Sequence, residues 1–351
     1  MRPVVSDRTC TPCGTGPRHP LTGAKDAVSI IDDLSLEPLP GDLARCEQRL
    51  SEAVVHDDKL LGDVAGHLLA AGGKRLRPTL AMCAAYAAQG ASAVSADVLT
   101  GAASVELVHV GSLYHDDVID EAETRRGVPS VNARGSNITA ILAGDFLLAR
   151  ASSLAASLGA DVAALLADTI GELCRGQVLE LQYLFNAERD EETYLSSIEG
   201  KTASLLATAA RVGGMVSNVH PATLDALTQF GHHLGMCFQI VDDVLDLTQS
   251  EEQLGKPSGN DLHEGVYTLP VIYAARSDES LRTMLGRRLD WPDVEIARTK
   301  VLAADAIAAA TAVAQAHATK ARDALDGAEQ LDTTVVARLG AMVDGLVTRS
   351  F

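Results

Sequence analysis

Apolar residues recur along this chain at mixed three- and four-residue spacing, the period of an amphipathic helix, and few segments alternate as half-buried strands do. Between residues 42 and 70 they fall at Leu43, Leu50, Val54, Val55, Leu60, Leu61, Val64, Leu68 and Leu69. Gly72-Gly73 breaks that pattern, and Pro78 sits where a new helix would start. The same period predicts helical stretches over about 78–89, 95–122, 137–158, 160–187, 190–217, 222–249, 265–276 and 296–348. Charge and Gly/Pro clusters mark 250–264 and 277–295 as loops, and no tandem repeat is visible. Pro3, Pro12, Pro17, Pro20, Pro38 and Pro40 all fall within residues 1–40. That segment reads as a poorly ordered extension, and residues 41–351 as a single all-α domain.

Composition narrows the picture. Hydrophobic residues make up 47% and aromatics only 3%, which suits Ala- and Leu-rich packed helices better than sheets. The net charge of -18 argues against nucleic acid or an anionic membrane surface as the main partner. A polyanionic ligand would then need local cations or metal ions. The 6 cysteines are scattered over 351 residues, so a reducing cytoplasm is the expected location. Cys10 and Cys13 form a CxxC in the Pro/Gly-rich tail with no βαβ pattern around it, and read as a chance pair rather than a redox or metal motif. Val301–Ala316 is mostly Ala and interrupted by Asp305, so no transmembrane helix is expected, and residues 1–40 lack the apolar core of a secretory signal.

The strongest chemical signal is Asp116-Asp117-Val118-Ile119-Asp120. In a helix Asp116 and Asp120 share one face and Asp117 is adjacent, so three carboxylates repel one another unless a cation sits among them. A solvated acidic face is the alternative. The neighbours Val105, Leu107, Val108, Val110 and Leu113 make this helix largely buried, and buried carboxylates need cations or hydrogen bonds. The pattern returns at Asp242-Asp243-Val244-Leu245-Asp246 after Phe238, Ile240 and Val241. Facing each other, the two motifs would offer carboxylates around one cavity, which suits Mg²⁺ completed by phosphate oxygens and water. Basic residues are grouped near them: Lys74, Arg75 and Arg77 after the Gly-Gly break, Arg125 and Arg126 one to two helical turns past the first motif, then Lys201 and Lys256. Arg offers bidentate contacts to phosphate and Lys a compact charge, so the set points to diphosphate substrates, two of them.

Gly72-Gly73-Lys74-Arg75-Leu76-Arg77-Pro78, the run ELVHVGSLYHDDVIDEAETRRGVPSVN from Glu106 to Asn132, Lys201-Thr202, Phe238-Gln239-Ile240-Val241-Asp242-Asp243 and Leu254-Gly255-Lys256-Pro257 together resemble the all-trans polyprenyl diphosphate synthases, over roughly residues 42–350. The resemblance implies a bundle of antiparallel helices around a deep central cavity, usually a homodimer. It implies that Asp116, Asp117, Asp120 and Asp242 hold Mg²⁺ against the allylic diphosphate, with Asp243 and Asp246 supporting; three ions per site are expected. Arg125, Lys201 and Lys256 would neutralise that diphosphate. Lys74, Arg77, His109 and Arg126 would hold isopentenyl diphosphate, and Thr202 and Gln239 would lie beside the reacting carbons as catalytic residues with Lys201. The implied reaction ionises the allylic C–O bond, adds the isopentenyl double bond to the cation and loses a proton. Any membrane contact would be transient, for product release.

Product length has a geometric handle. The tail should run from Asp116 toward the start of its helix, where Ser112 and Gly111 lie one turn, about 5.4 Å, below. Both are small, which predicts an open tunnel and a medium to long product; close helix packing at Gly111 is the alternative. Gly135, Ser136, His263 and Val266 depart from the common family pattern, the last where a Lys is frequent. His115, His232 and His233 show no metal-ligand spacing and read as packed helix residues. The competing functions are a short-chain farnesyl or geranylgeranyl diphosphate synthase, a class I terpene cyclase, and a non-catalytic subunit of a mixed synthase.

Overall fold

The structure, a computed structural model, describes residue 31, residues 34–254 and 257–326, residue 328 and residues 330–348. The first periodic stretch folds as two helices rather than one: α1 (Leu39–Ala53) and α2 (Lys59–Ala70). The break has a local cause, because Asp58 caps α2 by accepting from the Leu61 amide at 3.1 Å. Ile31, Leu34 and Leu36 are already part of the core. The packed body therefore starts before the Gly41 boundary expected from the prolines; residues 1–30, with Cys10 and Cys13, lie outside the described residues.

Next come α3 (Leu76–Gln89) and α4 (Ala96–Ile119), the latter capped by Ser95. Val105, Leu107, Val108, Val110 and Tyr114 of α4 are fully buried. A helix apolar on all sides belongs at the centre of a domain, and α4 packs against α1, α3 and two later helices, α6 (Asn137–Ser157) and α9 (Ser204–Val216). Between α4 and α6 the chain forms a small ribbon, β1 (Thr124–Arg125) antiparallel to β2 (Val128–Pro129), and the single turn α5 (Val131–Arg134). Arg126 and Gly127, its two linking residues, have φ of 54° and 73°, the positive values favoured in two-residue hairpins. Arg125 and Arg126 thus project from a hairpin and not from a continued helix.

Helix α6 is long and apolar enough to cross a membrane by length and composition alone. Here it packs along α4, while Ile138, Ile141 and Leu142 stay exposed. It is followed by α7 (Ala160–Gln182), α8 (Glu191–Ile198) and a π-helical turn, Glu199–Ala203, that divides the expected 190–217 helix before α9. Then α10 (Pro221–Thr248) packs on α9 and on α16 (Ala306–Asp326). Short helices α11 (Glu251–Leu254), α12 (Asn260–Glu264), α13 (Leu269–Ser277) and α14 (Glu279–Met284) occupy the predicted loops and part of the 265–276 stretch. The long 296–348 stretch is broken into α15 (Trp291–Ala303), α16 and α17 (Thr333–Thr348). A satellite core of Leu247, Tyr267, Val271, Leu281, Val294 and Val301 joins α10 to α13–α15. His263, the departure in α12, stacks on Trp291 with ring centroids 4.5 Å apart and bonds the Leu289 carbonyl at 2.8 Å, so its role here is to peg this region together.

The π-turn is held by a close backbone crossing. A Cβ on Gly176 of α7 would stand 2.7 Å from the Ser197 carbonyl oxygen, and one on Gly200 would stand 2.8 Å from that of Glu172. Gly176→Ala should therefore lower unfolding free energy by about 1–3 kcal/mol. Denaturant melts check this, and an unchanged midpoint would contradict the crossing.

Candidate active site

Both acidic motifs lie at the C-terminal ends of their helices: Asp116 and Asp117 close α4 with Asp120 as its C-cap, and Asp242 to Asp246 fall near the end of α10. The C-terminal end of a helix carries partial negative charge, which adds to the repulsion among the carboxylates of the first motif. Burial pushes the Asp116 carboxyl above the usual range, with Lys201 and Arg125 opposing and Glu180 and Asp117 reinforcing. At Asp120 loss of solvent, then Asp116 and Glu264, raise it to about 6 against the pull of Lys201 and Arg125. Asp243 is pushed by burial to about 7, with Asp242 and Glu180 adding to the rise and bonds from Tyr194 and Gln239 restraining it.

Glu180 of α7 thus faces both motifs, and sequence reasoning missed it. Its carboxylate accepts from Lys201 Nζ at 2.7 Å. Burial works against the Lys201 charge, yet Glu180, Asp116 and Asp120 together hold its pKa above the ordinary value. Lys201 and Thr202 sit on the π-turn, a distortion that recurs at functional sites. The Gly176–Gly200 crossing brings that turn against α7.

The remaining carboxylates divide by their partners. Asp117 is buried; its Oδ1 accepts from Arg125 Nε at 2.7 Å, while its Oδ2 has no hydrogen-bond partner within the protein. Asp243 has Tyr194 Oη on Oδ2 at 2.6 Å and Gln239 Nε2 on Oδ1 at 2.8 Å, which makes it a support behind Asp242. Asp246 accepts from the Asp261 amide at 3.3 Å and its carbonyl from Gly259 at 2.9 Å, so it ties down the loop after α10. Asp242 is exposed. Lys256 and Gly255 lie outside the described residues.

A second, cationic cluster stands at the junction of α2, α3 and the hairpin. Arg126 donates to the Leu68 carbonyl at 3.0 Å and to that of Gly72. Burial, aided by Arg126 and opposed by Glu106, brings Arg77 to about 10, still a cation at neutral pH, and its Nε has no partner within the protein. Burial and then Arg77 and Arg126 hold His109 well below the ordinary histidine value, so it offers a neutral N–H and not a charge. Lys74 is exposed on the adjoining loop. Arg75 does not join this set. It bonds Glu47 through Nε and NH2 (3.0 Å for the latter) and the buried Glu106 through NH1 at 3.0 Å, so its charge is consumed by the fold. Glu106, buried in an otherwise apolar helix, is the sequence signal that one nearby Arg had to be structural.

The structure corrects the tunnel argument at Gly111. Its Cβ position lies 3.2 Å from the Gly144 carbonyl oxygen and 3.4 Å from Leu147 Cβ, so Gly111 serves close packing of α4 on α6. Ser112 is partly open, its hydroxyl turned back to the His109 carbonyl at 2.8 Å. His115 packs over Gly144, and His233 pairs with His317 at 3.1 Å between Nδ1 atoms, both as helix-packing residues.

Residues 58–324 match the family described as polyprenyl synthetase. The chain belongs to that family. It is a trans-prenyltransferase whose substrates are isopentenyl diphosphate and an allylic diphosphate. Among its relatives are the heptaprenyl diphosphate synthase component 2 of Geobacillus stearothermophilus, 40% identical over 82% of this chain and 90% of that protein, and the nonaprenyl diphosphate synthase of Mycobacterium tuberculosis, 38% identical over 92% and 96%. The crystal structure of a Caulobacter crescentus polyprenyl synthase, complexed with calcium and isoprenyl diphosphate, superposes with a TM-score of 0.84 at 32% identity, covering 95% of this chain and 100% of that one.

The synthase's own donors fit a hard divalent cation. They are carboxylate oxygens, and Asp117 Oδ2 is a buried acceptor left unsatisfied by the protein. Among the described residues no three His, Cys, Asp or Glu side chains converge into a ready-made cage. Mg²⁺ takes one or two carboxylates and completes its shell with phosphate and water, so such a cage is not required. Because Asp120 has a raised folded-state pKa, its ionised form costs stability above about pH 6, and that cost fades as pH falls toward the unfolded carboxylate value. Mg²⁺ with inorganic diphosphate should therefore raise Tm more at pH 7.5 than at pH 5.5. Equal thermal shifts at the two pH values would contradict this site.

Proposed function

We propose that this enzyme extends farnesyl or geranylgeranyl diphosphate with isopentenyl diphosphate to a linear all-trans polyprenyl diphosphate of medium to long chain. The observation that carries the reading is the presence of two differently built anion sites. One is the carboxylate cluster with Lys201 and Arg125, suited to a metal-bridged diphosphate. The other is the cluster of Arg77, Arg126 and neutral His109, suited to a diphosphate held by side chains alone. A cyclase needs only the first.

Asp116, Asp117, Asp120 and Asp242 are the residues that would hold the ions, three per site, with Asp243 and Asp246 behind them. When bound, Mg²⁺ supplies charge stabilisation to the departing diphosphate. Lys201 and Arg125, joined by Lys256, add fixed positive charge on the same side, where a water-poor site strengthens it. Arg77, Arg126 and Lys74 fix the second diphosphate, His109 donates an N–H to it, and the isopentenyl double bond is thereby aimed at the allylic carbon. Thr202 and Gln239 flank the cation, and the released diphosphate takes the proton.

Exposed apolar side chains on the antiparallel pair α6 and α7 (Ile138, Ile141, Leu142, Val178 and Leu181) support a homodimer through this face. One relative is named as a component, which makes a mixed pair with a second chain the alternative. Cys46, Cys83, Cys174 and Cys237 are free thiols, which supports a cytoplasmic location. The exposed apolar residues also suit transient membrane contact as product leaves.

The purified chain with Mg²⁺, farnesyl diphosphate and isopentenyl diphosphate should yield linear products by mass analysis; cyclic hydrocarbon from farnesyl diphosphate alone would overturn the reading. Asp116→Ala should lower turnover by orders of magnitude while the circular dichroism melt persists, and near-normal turnover would refute the metal assignment. Product length is tested at Ser112, because a ring at Gly111 would press on α6. Ser112→Phe should shorten the product, and an unchanged product distribution would remove Ser112 from the tunnel wall.

A further inference from the structure

Four side chains behind the acidic motifs form one unbroken hydrogen-bond chain across three elements. Tyr194 Oη of α8 donates to Asp243 Oδ2 at 2.6 Å, and Gln239 Nε2 of α10 donates to Asp243 Oδ1 at 2.8 Å. Thr202 Oγ1 of the π-turn donates to Gln239 Oε1 at 2.7 Å. Tyr194 is 1% exposed, Asp243 4% and Thr202 6%, so water competes poorly for these bonds. Neither Tyr194 nor the direction of the chain was legible from the sequence.

The direction follows from the chemistry of the groups. Tyr194 Oη and Gln239 Nε2 both donate to Asp243, so the Gln239 NH2 faces Asp243 and its oxygen is left to face Thr202. A hydroxyl has one proton. Spent on Gln239, it leaves the Thr202 lone pairs for another partner. Tyr194 closes the far end of the chain. Without its O–H, Asp243 Oδ2 would be buried and unpaired, and the carboxylate would lose the bond that fixes its rotation.

We propose that Tyr194 is a positioning residue for prenyl transfer: through Asp243 and Gln239 it orients the Thr202 hydroxyl with its negative end toward the allylic cation. The proposal rests on the reading above that Thr202 and Gln239 flank the reacting carbons. A fixed dipole aimed at developing charge stabilises a transition state without reorganising during the step. Tyr194 acts only by holding that dipole, and touches neither substrate nor metal.

A double-mutant cycle tests the chain, with Tyr194→Phe, Thr202→Val and both together, assayed with farnesyl diphosphate, isopentenyl diphosphate and Mg²⁺. Tyr194→Phe should lower kcat by about ten- to a hundredfold and change both KM values by less than about twofold. In the Thr202→Val background the same change should cost kcat less than about twofold, because the end it acts on is already gone. Effects that multiply would overturn the chain while leaving Thr202 beside the reacting carbons. A near-normal kcat for Thr202→Val alone would overturn that underlying placement, and the proposal with it. Thermal melts accompany each variant; should Tyr194→Phe fail to fold, Gln239→Leu breaks the same chain and takes its place in the cycle.

Discussion

The constraint on which the structure depends is the gathering of carboxylates at the negative ends of two long helices. Asp116 and Asp120 end α4, where the helix dipole already repels anions, and Asp242 and Asp243 lie toward the end of α10. Burial raises the carboxyl pKa values further. Nothing in a hydrophobic core favours this arrangement, so the protein folds around a site that is complete only with added positive charge.

The scaffold around that site is arranged to hold charge apart as much as to bring it together. Lys201 is flanked by Glu180, Asp116 and Asp120, so it keeps its proton despite burial. On the other side, Arg75 is paired with Glu47 and Glu106, and the Glu106 charge also reaches Arg77 and Arg126. One buried acid thereby lets several arginines share a small volume. Close backbone crossings such as Gly176 with Gly200 keep the elements that carry these charges in register.

Much of this was readable in the chain. Helical periodicity gave the all-α class and most helix spans to within a few residues, because long buried helices leave a strong pattern. The two DDxxD motifs and the basic runs marked the site, since charge amid apolar sequence is conspicuous. What escaped reading was pairing. Glu180 and Lys201 are 21 positions apart, and no local pattern links them. Tyr194 and Asp243 are 49 positions apart, and again nothing local joins them. Arg75 was grouped with Arg77 although its left-handed backbone and two acidic partners make it structural. The stretch over 42–70 hid a helix break because Asp57-Asp58 interrupts polarity without disturbing the apolar period. The hairpin carrying Arg125 and Arg126 was missed because a two-residue ribbon is too short to show alternation.

The seam between α4 and α6 fixes how closely these two helices lie. At Gly111 and Gly144 the two backbones approach too closely for anything to pass between them. A Cβ at either glycine would press on the facing carbonyl, so the separation of the two helices at this level is set by backbone and not by side chains. One seam of α4 is thereby immobile, and any adjustment of this central helix must come from its other faces.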